Sequence, residues 1–165
     1  MTQETRVIAE CNADTLFLTL LLKESVVHAA NNAQVGSQMI NRPSSGLVIG
    51  VIDDDKRKPK YFDDFKQINK NDTLRFKIFK HKKREHFIVT IHRAHEDFVI
   101  QNAKDAKINK KQYSKYFDLN YLKSITKSIQ VSSNSEYKNF LNAIIQKNPT
   151  DIRELKKFFK KKLWN

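Results

Sequence analysis

The sequence is poor in the residues on which several classes of protein depend. Its 165 residues include one cysteine, Cys11, and three glycines. A single thiol forms no internal disulfide and cannot supply the cysteine pairs of a structural zinc site, so we expect a reducing, cytoplasmic compartment. Three glycines also leave no glycine-rich loop of the kind that cradles phosphates.

Long apolar runs are missing as well. The longest, at residues 16–18 and 20–22, are separated by Thr19, whereas a membrane-spanning helix needs about 20 apolar residues. The sequence therefore excludes an integral membrane protein. Residues 1–10 contain no basic leader followed by an apolar stretch, so we expect no signal peptide.

Positive charge is present in excess, and it is unevenly distributed. The chain has 31 Lys and Arg against 18 Asp and Glu, a net charge of +13. Residues 1–55 carry 3 basic and 7 acidic side chains, whereas residues 56–165 carry 28 and 11. A surface this basic attracts polyanions, so we expect nucleic acid or another phosphate-rich partner. Lysines that only keep the protein in solution are the alternative.

Short apolar segments alternate with helical periodicity over the first hundred residues. We predict strands at residues 5–9, 25–30, 46–52, 74–80 and 86–91, and helices at 13–23, 32–41 and 61–70. A continuation of the first helix is the alternative for residues 25–30. Residues 46–52 are apolar throughout, which is typical of a central parallel strand covered on both faces. The pattern indicates an α/β fold of Rossmann-like type with a mainly parallel central sheet.

The remainder of the chain has helical patterns only. Helices are predicted from residue 98, at 113–129, at 136–146, and after Pro149, with Asn148 as the N-cap of the last helix. We therefore predict an α/β domain at 1–103 and a basic helical extension at 104–165 packed on it. A basic helix at 148–165 lying on an anionic membrane is an alternative for that segment.

Acidic residues follow two of the predicted strands. Glu10 comes after the first strand, and Asp53, Asp54 and Asp55 come directly after the most apolar one. Ligands of open α/β sheets bind at the carboxyl ends of the strands, and side chains two apart on a strand point the same way. Crowded carboxylates favour a cation among them, and oxygen ligands suit Mg²⁺ or Mn²⁺. Acids that merely cap helices or turns are the alternative.

The order of these motifs resembles the Toprim domain. That domain has Glu-Gly-x-x-Asp after its first strand and Asp-x-Asp after a later apolar strand. This chain has Glu-Cys-Asn-Ala-Asp from Glu10 to Asp14, and three acids from Asp53 to Asp55. The resemblance covers residues 5–100. Glu96 resembles a further acid of the small nuclease-like branch, the overcoming-lysogenization-defect nucleases.

The resemblance implies roles for individual residues. Asp53 and Asp55, with Glu96, would hold Mg²⁺ or Mn²⁺, and Glu10 would be a metal ligand or a general acid/base. The catalytic set would be Glu10, Asp53 and Asp55, with Asp14 orienting a neighbour. Two departures stand out: Cys11 replaces the motif glycine, and the Lys-Arg-Lys-Pro that follows the acids differs from the Asp-Arg-Glu-Gly of primases and topoisomerases. The second departure favours the nuclease-like branch.

We therefore predict a Mg²⁺- or Mn²⁺-dependent nuclease that hydrolyses phosphodiester bonds of DNA or RNA, with phage defence or nucleic-acid processing as the role implied by the resemblance. The residues expected to bind the nucleic acid lie in two basic loops; they are Lys56, Arg57, Lys58, Lys60, Lys82, Lys83 and Arg84. The alternative is a non-catalytic Toprim-like module that binds nucleic acid or a protein partner through its basic face. A homo-oligomer and an interaction subunit without a nucleic-acid role also remain open.

Two other groups were candidates for chemistry. His92 and His95 precede Glu96, and we interpret them as residues at the start of a helix, with one a proton shuttle if Glu96 belongs to a metal site. Cys11 is interpreted as an ordinary buried cysteine.

Overall fold

The computed structural model describes residues 6–164. The strands are β1 (Val7–Ala9), β2 (Val27–His28), β3 (Val48–Asp53), β4 (Phe65–Gln67), β5 (Phe76–His81) and β6 (His86–Ile91). The α-helices of this part of the chain are α1 (Asn12–Leu22), α2 (Asn32–Ile40), α3 (His95–Asp105), α4 (Leu119–Thr126), α5 (Ser135–Lys147) and α6 (Thr150–Leu163).

The strands form one six-stranded sheet in the order β2-β1-β3-β6-β5-β4. Strands β2, β1, β3 and β6 run parallel to one another, whereas β5 pairs antiparallel with both β6 and β4. The prediction of an α/β fold with a mainly parallel sheet is confirmed. Both β3 and β6 are buried along their whole length, which explains their nearly unbroken apolar sequences.

Helices cover both faces of the sheet. Side chains alternate across each strand, so Ile49 and Val51 face a large apolar cluster that includes α1, α3, α5 and α6. Ile8 and Ile52 face a smaller cluster on the other side, which includes α2. The helices after residue 104 therefore share one core with the sheet. The predicted domain boundary at 103 lies in the last turn of α3, and the division into two units stays a prediction.

Gly50 allows α2 to lie close against β3. A Cβ atom at this position would stand 2.8 Å from Sδ of Met39 and 2.9 Å from a methyl group of Val35. Both distances are shorter than a carbon atom tolerates, so any side chain at position 50 would push α2 away from the strand. The glycine inside this otherwise apolar strand is thus explained by helix packing.

Helix α6 is fastened at both ends. At its start, Asp151 accepts a hydrogen bond from the Arg75 guanidinium at 2.9 Å. At its end, Arg6 donates to a main-chain carbonyl of the last turn at 2.6 Å. The indole N–H of Trp164 donates to the carboxylate of Glu24, just after α1, at 2.7 Å. No helix within residues 6–164 is long and apolar enough to cross a membrane.

The prediction of a helix at residues 61–70 is wrong. The chain forms a short 3-10 helix at Lys60–Asp64 and then enters β4, which pairs with β5. Phe62 and Phe65 are buried and lie three residues apart, a spacing that resembles a helical face. Pairing with β5 buries Phe65 without continuing the helix, so a tertiary contact outweighs the local pattern.

Two other helix predictions are corrected at their ends. Asn148 is not the N-cap of α6 but the C-cap of α5, with a left-handed backbone at φ 54°, and Pro149 is the N-cap of α6. Asparagine tolerates this conformation better than most residues, so it suits the end of a helix as well as its start. The helix predicted at 113–129 is a 3-10 turn at Ser114–Phe117 followed by α4, because the Asp118 side chain caps a new helix there.

Candidate functional site

The predicted acids lie at the carboxyl edge of the parallel strands. Glu10 follows β1 and Asp53 is the last residue of β3, the neighbouring strand. Beside them lies an open cavity of about 550 Å³ whose wall includes Asp53, Asp55 and Glu96. The structure thus brings three of the four predicted metal ligands to one cavity and places the fourth against Asp53.

Glu10 and Asp53 share one ammonium group. Glu10 is 3% exposed, and its Oε2 accepts a hydrogen bond from the main-chain N–H of Asp53 at 3.2 Å. Its Oε1 is paired with Nζ of Lys56, which also lies 3.6 Å from Oδ2 of Asp53. Burial opposes the charge of Lys56, but the hydrogen bond and charge of Glu10 outweigh it and raise the pKa of this lysine.

Asp53 links the strand to the next helix. Its Oδ1 accepts a hydrogen bond from the main-chain N–H of His95, the first residue of α3, at 3.1 Å. Burial, together with the nearby charges of Asp14 and Glu10, raises the pKa of Asp53 to about 8. This carboxyl group therefore has too little positive charge around it, and a further cation would favour its ionised form.

A buried hydrogen-bonded chain supports the site from behind. His95 Nδ1 lies 2.9 Å from Oδ1 of Asp14, and its Nε2 lies 2.6 Å from the hydroxyl of Tyr137 on α5. Burial opposes the charge on His95, but the hydrogen bond and charge of Asp14 outweigh it and raise the pKa of the imidazole. Both ring nitrogens are occupied, so His95 positions its neighbours and is not free to carry a proton to a substrate.

The Cys11 thiol belongs to the same support. It donates a hydrogen bond to Oδ2 of Asp14 at 3.1 Å, and it caps the start of α1. Burial and the charge of Asp14 raise the pKa of Cys11, so the group stays a thiol at neutral pH. Cys11 was predicted to be an ordinary buried cysteine, but it is only partly buried and lines the cavity. The orienting role that the resemblance implies for Asp14 stays a prediction.

The three consecutive acids at the end of β3 do not all reach the cavity. Asp55 lines the cavity with Asp53, whereas Asp54 lies 3.7 Å from Nζ of Lys58 and 3.5 Å from Nδ1 of His92. Asp54 thus contacts Lys58 and His92 and is not part of the cavity wall. This places Asp54 as a neighbour of the site with no part in it.

Helix α4 contributes residues that sequence reasoning missed. Lys123 and Lys127 line the same cavity as the acids, and the hydroxyl of Thr126 donates to a carboxylate oxygen of Glu96. Positions 123 and 127 are one helical turn apart and face the same way. Nothing in the local sequence distinguishes these lysines from others, because only the packing of α4 on α3 brings them to Glu96.

The predicted nucleic-acid-binding residues fall into two separate groups. Those of the first loop, Lys56, Arg57, Lys58 and Lys60, follow the acids directly. Those of the second, Lys82, Lys83 and Arg84, lie in the β5–β6 turn, at the start of β6 and therefore at the far end of the sheet. The structure does not bring the second group to the acidic cavity.

The acids at the cavity supply oxygen donors of the type that a divalent metal ion prefers. Among residues 6–164 no three acidic, histidine or cysteine side chains are placed to hold an ion together. The donor set is nevertheless fitting, because Mg²⁺ commonly takes one or two carboxylates and completes its shell with water and phosphate. The cation that lies beside both Glu10 and Asp53 is the ammonium group of Lys56.

No protein-family model matches the chain, and no significant match was found among the curated proteins or the solved structures.

Proposed function

We propose that this protein is a Mg²⁺- or Mn²⁺-dependent nuclease with a Toprim-like fold, which hydrolyses phosphodiester bonds of DNA or RNA. The observation that carries the proposal is the convergence of acids from distant parts of the chain beside one open cavity; they are Glu10, Asp53, Asp55 and Glu96. Glu10 and Asp53 are buried, and buried acids are costly unless they bind a cation or are paired, so their position beside Asp55 and Glu96 favours cation chemistry.

The sheet topology supports the Toprim-like assignment. The first acid follows β1, the Asp-x-Asp motif ends β3, and Glu96 opens α3 just after β6. These three strands are neighbours in the sheet, in the order β1-β3-β6. The motifs recognised in the sequence thus meet at one edge, which is what a shared catalytic role requires.

Each of the acids would have a defined role in binding the metal. Asp53 and Asp55 would be the main ligands, with Glu96 as a further one, and Glu10 would act as a ligand or a general acid/base. When bound, the ion would supply Lewis-acid activation of the phosphodiester and of water. The support behind these acids is rigid, because Asp53 is fixed by the main chain of α3.

The basic residues around the cavity would hold the phosphates. Lys56, Lys123 and Lys127 line the same cavity as Asp53, Asp55 and Glu96. Lysines bind phosphate as mobile point charges and give affinity without sequence preference. The same cavity would therefore hold the acids and the charges that position a nucleic-acid backbone.

One observation favours the second candidate, a non-catalytic module that binds nucleic acid or a protein partner. Lys56 already neutralises Glu10, and no complete metal-ligating group is formed within the described residues 6–164. A protein of this kind would bind nucleic acid in a salt-dependent manner and would not cleave it.

Cleavage by matched aspartate variants tests the proposal. Asp55→Asn removes a carboxylate from the cavity wall, whereas Asp54→Asn removes a neighbouring carboxylate that faces Lys58. With Mn²⁺ and labelled single-stranded and double-stranded DNA and RNA, we expect cleavage by the wild type and by Asp54→Asn. We expect a loss of at least about 100-fold with Asp55→Asn.

Two results would contradict the nuclease. Equal cleavage by the wild type and Asp55→Asn would place the activity elsewhere. Salt-dependent binding by all three proteins without metal-dependent cleavage would establish the binding module instead.

A further inference from the structure

Lys56 is paired with the acids through a long, half-exposed side chain that can move away from them. Its side chain is 49% exposed, while those of Glu10 and Asp53 are 3% and 7% exposed. The lysine follows β3 in an exposed turn, and its ammonium reaches inward on a flexible four-carbon stem. The acids are therefore fixed by the fold, whereas their cation is carried by a mobile side chain.

Glu10 has no substitute for this cation in the described part of the chain. Its Oε2 is occupied by the main-chain N–H of Asp53, and Lys56 is the one basic side chain that forms an ion pair with it among residues 6–164. Arg57 and Lys60 extend into solvent, and Lys58 contacts Asp54. Loss of the Lys56 ammonium would leave the buried Glu10 carboxylate without an ion-pair partner among the described residues, next to the buried carboxyl group of Asp53.

An ammonium group and a divalent ion cannot both serve these oxygens. A Mg²⁺ ion binds its oxygen ligands at about 2.0–2.1 Å and demands a regular shell. Oε1 of Glu10 already contacts Nζ of Lys56, which also lies 3.6 Å from Oδ2 of Asp53. The like charges of the two cations would repel each other, so one must move for the other to bind.

We propose that Lys56 is a built-in competitor of the metal: its ammonium occupies the cation position between Glu10 and Asp53 and must leave before a divalent ion binds there. This inference rests on the proposed metal site. The cavity offers the displaced ammonium a destination, because a substrate phosphate held near Lys123 and Lys127 would attract it. Metal loading would then be coupled to the arrival of nucleic acid.

Metal affinity without substrate tests the inference directly. Lys56→Met removes the ammonium and keeps the apolar stem, and Lys58→Met is the matched control because it removes an equal charge from the same loop. Isothermal titration with Mn²⁺ alone should show binding to Lys56→Met at least about tenfold tighter than to the wild type. The affinity of Lys58→Met should stay within about threefold of the wild type, as expected for general charge removal.

Thermal unfolding provides a second measurement and also checks the fold. In EDTA, Lys56→Met should unfold at a lower temperature than Lys58→Met, because the buried acids lose their counter-ion. Millimolar Mn²⁺ should raise the unfolding temperature of Lys56→Met more than that of the wild type or the control. A native circular dichroism spectrum at low temperature confirms that the variant is folded.

The outcomes separate this inference from the proposed function. Equal Mn²⁺ affinity of the two lysine variants, with binding that Asp55→Asn abolishes, would overturn the competitor role and leave the metal site intact. Loss of binding in Lys56→Met alone would show that the lysine organises the acids, which also overturns the inference. Absence of Mn²⁺ binding in every protein, Lys56→Met included, would overturn the metal site itself.

Discussion

Two buried histidines lie at opposite ends of β6, and their surroundings differ in charge. His95, after the carboxyl end of the strand, is bonded to Asp14 and Tyr137, and its pKa is raised because Asp14 outweighs burial. His86, at the start of the strand, lies 2.6 Å from the hydroxyl of Tyr61. Burial, aided by the charge of Arg84, lowers the pKa of His86.

The two ends of the sheet differ in the ionisable groups that they bury. The carboxyl edge gathers several buried ionisable groups, which stabilise one another only as a set. At the opposite end the rings of Tyr61, Phe65 and His81 pack together, with Phe65 in edge contact with the other two and no buried carboxylate among them. We therefore expect a function that depends on charged side chains to be located at the carboxyl edge. The following predictions compare the two ends of the sheet.

The largest effect is expected from removing Asp14. At pH 6, where the raised pKa keeps His95 charged, Asp14→Ala should lower the free energy of unfolding by about 3–5 kcal/mol, because the buried imidazole loses its carboxylate partner and must stay charged without it or give up its proton. At the other end of the sheet, Tyr61→Phe removes a hydrogen bond to a neutral ring and should cost about 1 kcal/mol. Urea denaturation measures both, and equal losses would contradict the contrast between the two ends.

A smaller effect of opposite sign is expected from Asp53→Asn. The pKa of Asp53 is about 8 in the folded protein against 3.8 ordinarily, so the folded state holds a proton that the unfolded chain releases, and stability falls as the pH rises through that range. In EDTA at pH 8, Asp53→Asn should therefore be more stable than the wild type by on the order of 2 kcal/mol.

The pH dependence is the decisive part of that prediction. At about pH 3 and below, the advantage of Asp53→Asn should disappear, because the aspartate is then mostly protonated in both the folded and the unfolded state. Asp54→Asn, changed at the neighbouring half-buried carboxylate, serves as the control. A variant Asp53→Asn that is less stable than the wild type at pH 8 would show that the carboxylate is already well compensated.

The smallest effect concerns nucleic-acid binding at the two ends. Lys123→Gln with Lys127→Gln should reduce the slope of log affinity against log salt by about 1–2, because two phosphate contacts are lost. Lys82→Gln with Lys83→Gln, at the far end of the sheet, should leave the slope unchanged. Fluorescence anisotropy of labelled single-stranded DNA in EDTA measures both, and a larger change from the second pair would move the binding surface to the β5–β6 turn.

The sequence allowed the strands and the acids to be predicted but not their partners. The buried strands β3 and β6 were recognisable because a strand covered on both faces is apolar at every position. The edge strand β4 was not, because its three residues owe their conformation to pairing with β5. Local patterns thus reveal elements that bury themselves and miss those defined by a neighbour.

The same limit applies to the candidate site. Glu10, Asp53 and Asp55 were identified because each follows a strand in a recognisable motif. The pairing of Asp14 with His95 joins residues 81 positions apart, and Lys56 reaches Glu10 across 46 positions. Neither contact leaves a trace in the sequence, because the geometry arises only when the parallel strands bring their ends together.

The hydrogen bonds that hold α6 in place have a practical consequence for measuring how the molecule unfolds. Trp164 is the only tryptophan of the chain, and its indole N–H is bonded to Glu24 beside the end of α1. Its emission therefore reports the docking of the last helix without any label. Melting followed by this emission, compared with melting followed by the whole backbone, would reveal whether α6 detaches before the sheet unfolds.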